Sequence, residues 1–240
     1  MARQPGRQTS RRRKLGAVGG GLIVVAGGIF ALVYFVLFPT SSAKKFALTP
    51  GVASPVAAGT SLTGSWKIAT GSQAGYRVRE KLGFLPAKND AIGRTSAITG
   101  AAGLTQSGRR VTVTAASFTV DVRDLASDET MRDQHIRTLG LQSATYPTAT
   151  FKLSKPIVLP ATALSGKAVS VSATGVFDIH GTSRKETVPL EMRLSDATVE
   201  AVGSLTFPWS EFKMTAPSVA GFVSVTGTAT MEFDLDLQRA

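Results

Sequence analysis

The C-terminal residues 223–238 alternate between apolar and polar positions. Serine, threonine, acidic and amide side chains fill one parity. Apolar or small residues fill the other parity: Val223, Val225, Gly227, Ala229, Met231, Phe233, Leu235 and Leu237. A period of two places successive side chains on opposite faces of a strand, whereas a helix would scatter them around its axis. The pattern therefore predicts a long strand or strand pair with one buried face.

The same alternation recurs through the second half of the chain and more weakly before it. It predicts strands over residues 75–80, 92–100, 110–122, 148–154, 169–179, 188–194 and 199–207. His180, Gly181 and Thr182 separate two of these segments. A glycine in this position favours a tight turn, because it readily adopts positive φ.

One helix is predicted between the strands. Ser127 is a suitable N-cap, acidic residues follow it, and Gly140 is a natural stop. Met131, His135 and Leu139 are spaced i, i+4 and i+8, which places them on one stripe of a helix. This stripe is predicted to face the sheet.

About eight amphipathic antiparallel strands must hide a shared apolar face. A sandwich or a closed barrel achieves this, and closure also removes exposed strand edges. The inward positions mix small with large apolar side chains, so the barrel is expected either to enclose an apolar space or to be filled by its own side chains.

Residues 15–38 form an apolar run without a charged side chain, preceded by Arg11, Arg12, Arg13 and Lys14. As a helix, the run would be roughly 36 Å long, enough to cross a hydrocarbon core of about 30 Å. The basic tail 1–14 then stays in the cytoplasm and the rest of the chain is exported, which makes a single-pass cell-membrane protein. Gly16 and Gly20 form a G-x-x-x-G pair that would allow two such helices to dimerise. Cleavage as a signal peptide after Ala43 is the alternative.

Residues 39–61 are rich in Pro, Ala, Ser, Thr and Gly and are predicted to be a flexible linker. Residues 62–240 are then one extracytoplasmic domain of sufficient size to form a core.

The charge of the chain does not indicate nucleic-acid binding. The formal net charge is +11, but most of it comes from residues 1–45, which contain eight Lys and Arg and no Asp or Glu. A basic tail beside an apolar run is a topology signal and a contact for anionic lipid. There is no cysteine, which excludes disulfides, thiolate metal sites and a cysteine nucleophile. Of the two histidines, His135 falls on the predicted apolar stripe and His180 in a turn, so no enzyme and no metal site are predicted.

Three sequence blocks resemble the YceI-like family. Its R-D-x-H-L-R signature is matched by residues 132–137, and its Y-P-x-A-x-F block by residues 146–151. A later glycine- and threonine-containing stretch is similar to residues 175–190. On an early strand the family often carries F-x-I-x-H-L-G, where this chain has Tyr76, Val78 and Glu80 at the first three specified positions.

The resemblance implies an all-β, lipocalin-like antiparallel barrel with one short helix packed on it. It also implies binding of a polyisoprenoid, either an isoprenoid quinone or a polyprenyl lipid, inside the barrel. The tail is expected to contact inward positions of the strands, with no other cofactor. These positions are Val171, Ala173, Phe177, Leu190, Met192, Val225 and Met231. A non-enzymatic envelope scaffold with a filled barrel and an enzyme acting on lipid through His135 remain alternatives.

Overall fold

The computed structural model describes residues 43–82, 88–219 and 223–240. The predicted cytoplasmic tail, the apolar run 15–38 and the Gly16/Gly20 pair lie outside these residues. Among the helices that the structure does describe, none has both the length and the apolar character needed to cross a bilayer.

Strands dominate the described residues, as the alternation predicts. They are β1 (Gly64–Ile68), β2 (Gln73–Leu82), β3 (Lys88–Thr95), β4 (Ile98–Ser107), β5 (Arg110–Asp121), β6 (Thr148–Leu153), β7 (Ile157–Leu159), β8 (Val169–Ile179), β9 (Thr182–Leu194), β10 (Thr198–Pro208), β11 (Ser218–Val219) and β12 (Val223–Arg239). The helix α1 (Thr130–His135) continues into a π-helical turn, Ile136–Gly140. Short 3-10 turns occupy Val122–Asp124, Ala161–Ser165 and Trp209–Phe212.

The strands close into an antiparallel barrel of eight strand positions. β1 and β2 lie end to end in one position of the barrel and both pair with β12. Trp66 of β1 lies opposite Arg239, and Gln73 of β2 lies opposite Asp234. β3 and β4 share the next position in the same way, where β3 pairs with β2 and β4 pairs with β1. The additional pairing of β1 with β12 closes the strand order into a ring, which confirms the predicted all-β barrel.

The predicted strand 92–100 is in fact two strands. β3 ends at Thr95 and β4 begins at Ile98. The Thr95 hydroxyl accepts a hydrogen bond of 3.0 Å from the Ala97 amide. Arg94 lies opposite Gly75 of β2 on one side and forms an isolated bridge with Ala126 on the other. This local turn interrupts the ladder without changing the direction of the chain around the barrel.

The prediction that the stripe of Met131, His135 and Leu139 faces the sheet is wrong. Met131 is 66% exposed and Leu139 is 49% exposed. The buried positions are Asp133, Ile136 and Gly140. The Asp133 carboxylate accepts the Ser127 amide at 2.9 Å, which turns that polar side chain inward. The helix is therefore oriented by a hydrogen bond that hydrophobic spacing does not reveal.

The turn between β8 and β9 matches its prediction. His180 and Gly181 have φ values of 53° and 64°, the pair of positive angles of a type I′ turn. The Tyr146 ring packs on the turn, with its centroid 4.3 Å from that of His180.

Residues 43–57, here called the strap, lie against the outside of the barrel. The Arg77 guanidinium donates to the Ala43 carbonyl at 2.9 Å. Arg94 donates to the Lys44 carbonyl at 2.6 Å, and its guanidinium lies 3.8 Å from the centre of the Phe46 ring.

The second half of the strap is held in the same manner. Arg193 donates to the carbonyls of Thr49 at 2.7 Å and Gly51 at 3.0 Å. The amide of Val56 donates to the Leu164 carbonyl at 3.0 Å. These residues fall within the predicted linker, and residues 43–240 form one compact unit.

Beneath the strap, the outer face of the barrel carries a buried ionic cluster. Glu232 lies on the polar parity of β12, yet it is only 2% exposed. Its two carboxylate oxygens accept from Arg77 at 3.1 Å and from Arg94 at 2.8 Å. The strap removes these groups from water, so each depends on its partners.

Asp234 adjoins this cluster and has a pKa of about 6, because burial and then the charges of Asp236 and Glu200 oppose its ionisation. The folded state keeps this proton to higher pH than the unfolded state, so the group lowers stability as pH rises from about 4 to about 6. We expect Asp234→Asn to raise the melting temperature at pH 7.5 and to change it little at pH 4.

The matched control is Asp121→Asn. Arg123 holds the pKa of Asp121 at about 2 through hydrogen bonds, so this substitution is expected to lower the melting temperature at pH 7.5. Equal effects of the two substitutions across pH would contradict the assignment of the raised pKa to Asp234.

A candidate apolar binding cavity

The barrel encloses a cavity of about 180 Å³. Strands from the whole circumference contribute to its lining, which consists almost entirely of Ala, Val, Ile, Leu, Met and Phe side chains. No Asp, Glu, Lys, Arg or His is present in the part of the lining that the structure describes. Apolar cavities of about 150 Å³ stay dry and bind small apolar molecules, so this space suits part of an apolar guest.

Five of the seven predicted tail-contact residues line the cavity: Ala173, Phe177, Leu190, Met192 and Met231. The structure does not place the other two there. Val171 is half-buried and packs against the core, and Val225 is buried near the start of β12. The Val225 amide donates to the carbonyl of Pro217 at 3.2 Å, directly before β11, which pairs with this end of β12.

Four glycines of the barrel wall make room for aromatic rings that line the cavity. A Cβ atom added at any of them would come within 2.2 to 2.8 Å of a ring on a neighbouring strand. The pairs are Tyr76 with Gly93, Phe118 with Gly100, Phe151 with Gly175, and Phe233 with Gly203. Each ring therefore fills the space over a glycine, and the centre of the barrel stays open. Strand periodicity does not reveal these pairs, because they depend on register.

One end of the cavity is covered by the segment that joins β5 to β6. Val122, Leu125 and Ile136 contribute apolar side chains from it. Gly140 also faces the cavity, and a Cβ there would lie 3.2 Å from the Pro217 ring. The π-helical turn that continues α1 therefore forms part of the cover of the cavity.

The tryptophans differ in their relation to the cavity. Trp66 is fully buried and donates through Nε1 to the Leu62 carbonyl at 3.0 Å, and Phe212 is likewise fully buried. Trp209 lines the cavity, and its Nε1 has no hydrogen-bond partner.

Tyr76 brings a second polar atom to the cavity. Its hydroxyl is buried, and the Ser127 side chain acts on it as a hydrogen-bond partner. Burial, and then the negative charge of Asp133, raise the pKa of Tyr76, so the phenol is neutral and retains its proton. Arg132 lies nearby but forms an ion pair with Glu80, with Nε 3.0 Å from Oε1.

Neither histidine is part of the cavity lining. His180 lies in its turn with Nε2 3.2 Å from the Gln142 side-chain oxygen, and His135 is half-buried at the end of α1. Within the described ranges, no group of three His, Asp or Glu side chains is placed to hold a metal ion.

A closed antiparallel barrel around an apolar cavity, covered at one end by a helix, has the architecture of the lipocalin-like barrels. More specifically, the chain belongs to the YceI-like family, whose domain model matches residues 66–237. No curated protein matches the chain.

Two solved structures are similar in fold. A polyisoprenoid binding domain from Saccharophagus degradans, implicated in plant cell wall breakdown, is 16% identical with a TM-score of 0.53, and the match covers 74% of this chain and 99% of that one. BcnA from Burkholderia cenocepacia is 22% identical with a TM-score of 0.50, and the match covers 69% of this chain and 95% of that one.

Proposed function

We propose that this protein binds an isoprenoid lipid in its barrel and is held at the outer side of the cell membrane by residues 15–38. The observation that carries the proposal is the cavity, whose described lining is almost entirely apolar and contains no charged side chain. A YceI-like domain with a polyisoprenoid-binding structural neighbour supports the same ligand class. No covalent chemistry is proposed.

Burial of the isoprenoid tail would supply most of the free energy of binding. Burial of one CH₂ group contributes about 0.8 kcal/mol, so a chain of a few isoprene units gives useful affinity after the costs of ordering and association. A tether at the bilayer would shorten the path of a lipid between the membrane and the barrel. The membrane anchor rests on the length of the apolar run and on the basic residues before it.

The direct test is mass spectrometry of organic extracts from the purified protein. We expect a co-purifying isoprenoid that is enriched over the lipids of the host membrane and is absent from a mock purification. Removal of the lipid is expected to lower the melting temperature, and its return to restore it, because a ligand that binds only the folded state stabilises that state. Repeated recovery of an empty, correctly folded barrel would instead support an envelope scaffold.

A further inference from the structure

The outward face of the helix over the cavity carries no charge. Residues 130–140 are all described by the structure, and their exposed, uncharged positions are Thr130, Met131, Gln134, Thr138 and Leu139. Met131 is 66% exposed, the highest value for a large hydrophobic side chain among the described residues, and Leu139 is 49% exposed. A surface helix ordinarily turns its polar face to water and its apolar face to the core. Here two large apolar side chains face outward instead.

The charged side chains of the same segment are turned toward the protein. Arg132 Nε lies 3.0 Å from Glu80 Oε1. Asp133 is buried and accepts the Ser127 amide at 2.9 Å. Arg137 donates to two main-chain carbonyls of the segment before the helix. These polar contacts fix the orientation of the helix, and its outward face is left without an ionic group to favour water.

The start of the strap keeps this face close to the predicted membrane anchor. The Arg77 guanidinium holds the Ala43 carbonyl at 2.9 Å. Five residue steps separate Ala43 from the end of the apolar run 15–38, and an extended chain of that length reaches about 18 Å at most. Glu80, which holds Arg132 of the helix, lies three residues after Arg77 on β2, about 10 Å along the strand. The length of the chain therefore keeps the helix near the bilayer in which the run is proposed to lie.

Exposed lysines border the same region. Lys44 and Lys45 are exposed at the start of the strap, and Lys81 is exposed near the end of β2. Asp128, just before the helix, forms an ion pair with Arg132. Lysines close to a membrane surface are attracted by anionic lipid head groups. An apolar helix face with lysines beside it is typical of a segment that lies in the interface of a membrane.

We infer that Met131 and Leu139 insert into the outer leaflet of the bilayer that anchors the chain. The inference rests on the membrane anchor of the proposed function and adds a docking surface on the barrel. Ile136 and Gly140 line the cavity from the same segment. Docking therefore places the covered end of the cavity against the membrane, where an apolar guest is transferred without crossing water.

The test uses a single fluorescent label, which is possible because the chain has no cysteine. Full-length Met131→Cys is labelled with an environment-sensitive fluorophore and placed in nanodiscs of phosphatidylcholine and phosphatidylglycerol. We expect lipids with a nitroxide on the acyl chain to quench most of the fluorescence, and a water-soluble quencher to have little effect. Adding Leu139→Asp is expected to reverse this pattern, because a carboxylate is costly to bury in the leaflet. Val176→Asp adds the same charge on the outer wall of the barrel and is expected to leave the pattern unchanged.

Val158→Cys is the matched control for the label. Val158 is 59% exposed on β7 and lies opposite Thr112 of β5. Thr112 precedes Asp121, where β5 ends and leads into the cover, by nine residues, which is about 30 Å along the strand. A label at this position is expected to be quenched from water and not from the lipid.

Three results would overturn the inference, and they are distinguishable. A label at residue 131 that is as open to water as one at residue 158 removes the docked face, while the anchor stands. Rapid disulfide formation between two unlabelled Met131→Cys chains, without quenching by lipid, assigns the face to a second copy. Failure of the full-length chain to co-elute with nanodiscs removes the proposed anchor and the docking with it. Lipid binding in the cavity is measured separately by mass spectrometry of extracts.

Discussion

Glu232→Gln is expected to lower the free energy of unfolding by about 3 kcal/mol, the lower end of the range for breaking a buried ion pair. The Glu232 carboxylate is 2% exposed and neutralises Arg77 and Arg94, whose side chains are themselves largely buried. The neutral amide retains the shape of the side chain but leaves two guanidinium groups without their shared counter-charge. Urea denaturation followed by circular dichroism measures the change.

Glu191→Gln is the matched control, because Glu191 lies exposed on β9. This substitution removes the same charge and is expected to change the free energy of unfolding by less than about 0.5 kcal/mol. Similar losses for the two variants would mean that net charge, and not the buried cluster, controls the stability of the barrel.

Ala173→Phe is expected to reduce the lipid that co-purifies with the protein by at least about tenfold. Ala173 is buried and lines the cavity from β8, directly opposite Val188 of β9. A phenyl ring at this position would occupy space that the proposed tail requires. Since the ring enters an existing cavity, the stability cost is expected to stay below the upper end of about 1–3 kcal/mol for overpacking. Lipid occupancy is measured by mass spectrometry of extracts, normalised to protein.

Val176→Phe provides the control on the same strand. Val176 is 37% exposed on the outer face of β8, so the same ring is added outside the barrel. Lipid occupancy is expected to remain at the wild-type level. Normal occupancy in Ala173→Phe would show that the lipid does not enter the cavity.

The parts of the fold that follow from local periodicity are predictable from the sequence. Alternation along β12 and β8 identifies a two-sided sheet, because a strand places neighbouring side chains on opposite faces. Positive φ at Gly181 is predictable for the same local reason. The aromatic–glycine pairs are not, because they depend on which residue of β3 lies beside Tyr76 and not on either segment alone.

Other parts of the structure are decided by hydrogen bonds that hydrophobic spacing does not encode. Met131 and Leu139 have the spacing of a buried stripe, but the hydrogen bond from Ser127 to Asp133 turns a different face inward. The strap shows the same limit. Its composition is that of a linker, and the arginines that hold it lie far along the chain in β2, β3 and β9. Val225 has the parity of an inward position and is buried, but it does not line the cavity.

The contacts that hold the strap have an evolutionary consequence. Arg77, Arg94 and Arg193 bind main-chain carbonyls of the strap, and every amino acid supplies the same carbonyl. Mutations in the strap can therefore accumulate while the arginines cannot change freely. Orthologues of this protein should keep the three arginines even where residues 43–51 have diverged beyond alignment.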